Sequence, residues 1–310
     1  MNVIELQKYF ATHRYALRMG AGSIAKRTDS LKSDVIKARE LVKTINSLPL
    51  KDNKKLPKIL IFDIETAPIK AYVWKTWKEN VSLDQIISDW FVICWSAKWL
   101  YSDEIMGDCV TPREARREDD KRVIKKLWDL FNEADIVIAH NAIKFDVPKM
   151  NARFLYYDMN PPAPYQIIDT LQVAKREFKF TSNKLDALAH YFGFAPKLDT
   201  DFELWKKCLE GDQEALDYMF EYNKYDVELL EAVYLKLRPW IHNHPNVGNY
   251  TDNNIPVCCN CGSYSLKPMD NQYYKTQIST YKLYRCRECG AISRNRININ
   301  KDTRLISIAR

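Results

Sequence analysis

Apolar residues in this chain follow two rhythms. Short runs at 59–62, 91–99, 135–139 and 166–169, rich in Ile, Val, Phe and Trp, predict strands, the first of them fully buried. Between and after them, apolar positions recur every three or four residues at 113–133, 145–156, 184–192 and 213–237, which predicts helices. Strands interleaved with helices imply an α/β domain, a central sheet with helices packed on it.

The two ends read differently. Helical periodicity covers 4–17 and 33–45, with a glycine-containing turn at 19–23, a short helical piece at 24–27 and a further turn at 28–30. A charged, proline-ended run at 50–57 has the character of a linker, and an Asn-rich irregular stretch at 242–254 precedes a cysteine-containing tail. The organisation expected is therefore a helical segment at 1–50, an α/β domain at 58–240 and a small module at 255–310. No repeat or low-complexity segment is seen.

Charge sharpens this division. The net charge is +7, but residues 1–58 carry 13 Lys/Arg against 5 Asp/Glu, residues 243–310 carry 10 against 4, and the centre is left with 24 against 31. Basic ends around an acidic centre suit flanks that grip a polyanion and a middle that gathers carboxylates. No apolar run approaches membrane-spanning length and the first residues lack an apolar signal core, so a soluble cytoplasmic protein is expected, in the host cytoplasm if viral.

The carboxylates of the centre carry the chemistry. Asp63 and Glu65 stand two apart at the end of the first strand, in Phe62-Asp-Ile-Glu-Thr66, so both side chains leave the same face. Unbalanced negative charge at a core edge is costly unless a cation compensates it. Asp146 closes the string His140-Asn-Ala-Ile-Lys-Phe-Asp146 at a strand-to-helix junction, where a helix-capping role is also open to it. Tyr222 and Asp226 are four apart in the last long helix and share a face.

The order of these three elements resembles the exonuclease motifs of the DEDD, or DnaQ-like, superfamily, whose fold is RNase H-like. The resemblance spans residues 58–240. Tyr222, four before Asp226, matches the DEDDy branch, as in the proofreading domains of family B DNA polymerases; the DEDDh branch would have His where this chain has Glu221. Segments 168–171 and 183–193 resemble that family's sequence between its second and third motifs, and the Trp-rich stretch after Thr66 is similar to that of stand-alone phage-type members.

The resemblance implies an RNase H-like mixed sheet flanked by helices and a 3′–5′ exonuclease. Such an enzyme releases nucleoside monophosphates from DNA with two Mg²⁺ or Mn²⁺ ions. It further implies that Asp63 bridges both ions, that Glu65 and Asp226 hold the ion on the nucleophile's side, and that Asp146 acts mainly through water. Tyr222 would orient the attacking water, and Asn141 and Phe145 would contact the terminal nucleotide, although a Phe in such a position is more often core.

Among the eight cysteines, Cys258, Cys261, Cys286 and Cys289 form two CxxC knuckles, each followed by glycine, and this spacing predicts a tetrahedral Zn²⁺ site. It resembles a zinc ribbon with strands at 272–276 and 280–285. Cys259 is the spare. Cys94, Cys109 and Cys208 are expected to be buried thiols.

The head resembles a helix-turn-helix, with Lys32, Lys37 and Arg39 as candidate DNA contacts, an arrangement that basic helices packing on a neighbour also produce. Trp74, Trp77, Trp90, Trp95 and Trp99 pose a choice between core and base stacking. Most should be core, with Trp74 and Trp77 as candidates to line a strand's path. An RNA-directed exonuclease on the same scaffold remains open, as does a DNA-binding protein with a non-catalytic domain, which would be expected to lack an acid. A polymerase is not expected, because no segment remains to build one.

Overall fold

The computed structural model describes residues 1–12, 20–47, 56–194, 200–251 and 255–300. Parts of the expected first helix (13–17), linker (50–55) and tail (301–310) lie outside the described residues. The chain divides into two compact units, one formed by Pro57–Tyr234 and the other by Met1–Leu56 together with Leu235–Arg310.

The first unit is built on a five-stranded mixed sheet. Its strands are β1 (Ile59–Thr66), β4 (Val92–Trp99), β5 (Met106–Cys109), β6 (Ile136–Ala139) and β7 (Gln166–Asp169), in the order β5-β4-β1-β6-β7. The apolar run Ile59–Phe62 lies at the sheet's centre because β1 pairs on both sides, antiparallel to β4 and parallel to β6. β6 and β7 are also parallel. Leu60, Ile61 and Phe62 are fully buried, as are Ile136, Val137 and Ile138. A small hairpin, β2 (Lys70–Ala71) with β3 (Ile86–Ser88), sits outside this sheet.

The helices are α4 (Pro112–Arg117), α5 (Lys121–Glu133), α6 (Asp146–Tyr156), α7 (Thr170–Glu177), α8 (Leu185–Tyr191), α9 (Phe202–Glu210) and α10 (Gln213–Leu237). The single helix expected at 113–133 is two helices. Glu118 ends α4 in the left-handed conformation (φ 57°), and the buried Asp120 spends its carboxylate on Val92 N, Arg153 and the Tyr157 hydroxyl instead of continuing a turn. β5, α7 and α9, with the hairpin, were not apparent from periodicity: each is four to nine residues long or half-exposed.

In the second unit α2 (Ala21–Thr28) and α3 (Lys32–Ser47) accompany α1 (Val3–Thr12), and Leu6, Phe10, Ile24, Val35 and Ala38 are buried. The glycine turn expected at 19–23 is shorter, because Gly22 is helical within α2 and Gly20 is its cap. The tail is a three-stranded antiparallel sheet of β8 (Leu266–Lys275), β9 (Thr280–Cys286) and β10 (Ile292–Asn298), with β9 central. The third strand adds to the two expected.

Candidate active site

β1, β6 and β7 run parallel, so their carboxyl ends open at one edge of the sheet, where α/β architectures form clefts. Asp63 and Glu65 lie on that end of β1, opposite Ser96 and Cys94 of β4. α10 brings the third acid. Its buried stripe, Leu216, Met219, Asn223, Val227 and Leu230, has the helical period, and Tyr222 and Asp226 fall within it. One carboxylate oxygen from each of Asp63, Glu65 and Asp226 lies within 4.8 Å of the others. The three acids line an open cleft of about 900 Å³ together with Asn141, Phe145, Asp146 and Tyr222.

Asp146 is the first residue of α6, 2% exposed, and its Oδ2 meets no hydrogen-bond partner. Burial pushes its pKa up to about 7, and the nearby Asp169 adds to the rise, while its own backbone amide opposes it. It stands outside the 4.8 Å group of three. Asn223, fully buried on α10, donates from Nδ2 to Asp63 Oδ2 at 2.7 Å and so fixes that carboxylate's orientation. Three converging carboxylates with a fourth buried beside them form a set of hard oxygen donors suited to a divalent cation. Without one, burial of this charge would be unfavourable.

The loop after β6 is held by a network the motifs alone did not display. Asp169, at the end of β7, accepts from Asn141 N, Ile143 N and Gln172 N, each at 3.1 Å, which caps α7 and pins the loop at once. His140 bonds Thr170 Oγ1 at 2.9 Å through Nδ1 and Asn183 O at 2.8 Å through Nε2. Segments 168–171 and 183–193 thus brace the 140–146 loop, and Asn141 sits there at φ 87°. α6 is anchored from its other end, where Arg153 pairs with the buried Asp120, itself bonded to Val92 N of β4.

Phe145 is 36% exposed and faces the cleft, so it is not a core residue. Trp95 is buried and Trp90 and Trp99 are half-buried, whereas Trp74 and Trp77 are 91% and 77% exposed. Trp90 also lines a neighbouring hollow of about 560 Å³ with Thr66, Lys149, Phe202 and Trp205. There the Lys149 ammonium lies 3.7 Å from the Trp90 ring centre, and burial lowers its pKa. Asn223, His140 and Asp169 were missed as site residues; the only signal for Asn223 was a polar residue in an apolar helical stripe.

In the other unit Lys32 and Lys37 are exposed on α3, and the Arg39 guanidinium lies 5.7 Å from the Phe10 ring centre, partly buried. Cys258, Cys261, Cys286 and Cys289 bring their sulfurs within 4.8 Å of one another. The Sγ separations of 3.5 Å (258 to 289) and 3.6 Å (261 to 286) are close to the about 3.8 Å edge of a tetrahedron with ~2.3 Å metal–sulfur bonds. Gly262 and Gly290, at φ 71° and 82°, donate their amides back to Cys258 O and Cys286 O and close the two knuckles. Cys259 turns away, 3.0 Å from Ser293 Oγ. Cys94 and Cys208 are buried and Cys109 is half-buried.

Residues 91–238 match the RNase_H superfamily. The match starts beyond β1, so it includes Asp146, Tyr222 and Asp226 but not Asp63 and Glu65, and the fold joins the two sets. The mixed central sheet flanked by helices is consistent with the RNase H-like fold of that superfamily, and the match, just under half of the chain, supports hydrolytic nucleic-acid processing at the superfamily level only. No curated protein matches the sequence. Among the described residues no helix is long and apolar enough to cross a membrane.

Proposed function

We propose that the RNase H-like domain is a DEDDy-type 3′–5′ exonuclease of the stand-alone phage type, acting on DNA and releasing nucleoside monophosphates. The observation that carries this reading is the convergence of Asp63, Glu65 and Asp226 within 4.8 Å, on a cleft that also holds Asp146 and Tyr222. Two Mg²⁺ or Mn²⁺ ions bound by these acids would supply Lewis acidity, activating water and neutralising charge on the scissile phosphate. Asp63, Glu65 and Asp226 would hold them directly and Asp146 through water.

The rest of the work falls to the chain's own side chains. Asn223 keeps Asp63 turned to the cleft. Tyr222, four residues before Asp226 on the cleft side of α10, orients the attacking water through its hydroxyl. Phe145 offers a face to the terminal base and Asn141 a polar contact. Lys175 and Lys184, also on the cleft, draw the phosphate backbone toward the acids. The motif order and the placement of Tyr222 favour attack at a 3′ end.

In the other unit Cys258, Cys261, Cys286 and Cys289 would hold one structural Zn²⁺ in a zinc ribbon, and Lys32, Lys37 and Arg39 of α3 are proposed DNA contacts. Reduced, metal-binding thiols suit work in the cytoplasm.

The deciding experiment digests 5′-labelled DNA and RNA strands with Mg²⁺ or with chelator. Mg²⁺-dependent shortening of DNA from its 3′ end is expected, and preferential shortening of RNA would reassign the substrate. Loss of about 10²–10³-fold in rate is expected for Asp226→Ala. Digestion by that variant at the native rate would refute the assignment.

A further inference from the structure

The tail sheet has two unlike faces. Side chains alternate along β9, and strand pairing places their neighbours: Leu266 faces Cys286, and Leu266 packs against the four-cysteine cluster, so one face is turned to the sulfurs. Tyr281, Leu283 and Arg285 occupy the other face. Pairing adds Tyr274 beside Tyr281, Lys267 and Ile292 beside Arg285, and Arg294 beside Leu283.

This face is both aromatic and cationic. The Arg294 guanidinium lies 4.4 Å from the Tyr281 ring centre and 5.6 Å from that of Tyr274, and the two rings are 6.5 Å apart. Lys267, Arg285 and Arg294 are exposed, and Tyr274 is 47% exposed. Among the described residues none of these three cations forms an ion pair. The three strands carry six Lys/Arg and a single acid, Asp270. The surrounding unit is strongly basic: residues 1–56 carry 12 Lys/Arg against 5 Asp/Glu, and residues 235–310 carry 12 against 4, a net +15.

We infer that this face of the sheet, centred on Tyr274, Tyr281, Arg285 and Arg294, is a binding platform for single-stranded nucleic acid. Tyrosine and arginine planes stack on unpaired bases, which is sequence-tolerant because every base has a flat face. Lys267 and Arg285, paired across the strands on the same face four residues along β9 from Tyr281, take backbone phosphates. A protein partner of matching acidity is the competing occupant; exposed cations set around two tyrosine rings favour bases linked by phosphates. The inference stands apart from the proposed catalysis, since binding needs none of the cleft's acids.

The test uses the full-length, zinc-loaded chain without added Mg²⁺ and measures binding of fluorescent 20-mers of dT and of U by anisotropy. Tyr274→Ala with Tyr281→Ala, and separately Arg285→Glu with Arg294→Glu, are expected to weaken binding at least tenfold, and the charge variant to flatten the salt dependence as well. The dT and U arms show which sugar the platform prefers. Hydrolysis of the p-nitrophenyl ester of thymidine 5′-monophosphate, a substrate too small to span a platform, is expected to be unchanged in these variants. Lys267→Glu is the milder variant should a double variant lose its zinc. Native-strength binding of both oligomers by all three variants would overturn the platform.

Discussion

Asn223 Nδ2 donates to Asp63 Oδ2 across 2.7 Å, tying the last long helix to the central strand 160 residues earlier in the chain. Asp63 would then meet a cation with one oxygen already oriented. Partners of this kind are worth about 10–100-fold in metal affinity or activity. Asn223→Ala is therefore expected to lower the rate of the proposed exonuclease by about that factor and to raise the Mg²⁺ concentration needed for half-maximal rate. A rate loss with an unchanged Mg²⁺ profile would show that Asn223 only fills space.

Four of the sheet's five strands, all but β5, and the acids were legible because each depends on local pattern. Ile59–Phe62 is an unbroken apolar run, and Asp63 and Glu65 inherit a common face from the strand period. Asn223 was not legible, since its role depends on what faces it across the fold and the sequence shows only a polar residue where an apolar one would serve. The split of 113–133 was hidden for the same reason: Asp120 leaves the helical pattern to bond Val92 and Arg153, partners 28 and 33 residues away. Trp74 and Trp77 could not be told from core by composition; they lie exposed in the connection between β2 and β3, a hairpin too short to leave any periodic signal. On the tail, the knuckles were plain from spacing, whereas the sheet face bearing Tyr274 and Arg294 required strand register.

Asp146 gives a pH prediction. Its carboxyl, ordinarily near 3.8, is raised to about 7 in the folded chain by burial. A raised folded pKa means the folded state holds the proton more tightly than the unfolded state. The associated stability is fully present below pH ~4 and is lost as pH rises through about 7. Without divalent ions, urea denaturation is expected to show the native chain losing at most about 4 kcal/mol from this group between pH 4 and 8. Asp146→Asn, which keeps the shape without the charge, should remove that loss and be the more stable protein at pH 8. Equal pH dependence in the two would show that Asp146 is ionised at no cost.

The cysteine cluster separates five candidates into four and one. Metal analysis of the purified native chain is expected to find one zinc per chain, retained in Cys259→Ser, whose Sγ lies beside Ser293, and lost in Cys286→Ala. Structural zinc contributes on the order of 10 kcal/mol to the folding of small domains. The Cys286 variant should accordingly lose protease resistance in the tail while the RNase H-like domain keeps its own. Zinc loss from the Cys259 variant would mean that the knuckle uses a different sulfur.

Lys98 and Glu231 form a buried ion pair at 2.7 Å, with side chains 2% and 1% exposed, and Glu231 Oε1 also accepts from Tyr101 N. The pair fastens β4 to α10, the helix that carries Tyr222, Asn223 and Asp226. Removing one partner strands a charge in the interior, so Lys98→Ala is expected to cost about 3–5 kcal/mol in urea denaturation. Replacing both together, Lys98→Met with Glu231→Leu, removes the stranded charge and is expected to recover most of that loss, because apolar isosteres of buried pairs are often neutral. The recovered double variant should also regain the native rate of the proposed exonuclease if the pair serves only to hold α10 on the sheet. A double variant that is stable but slow would show instead that the charges themselves set the field felt at Asp226.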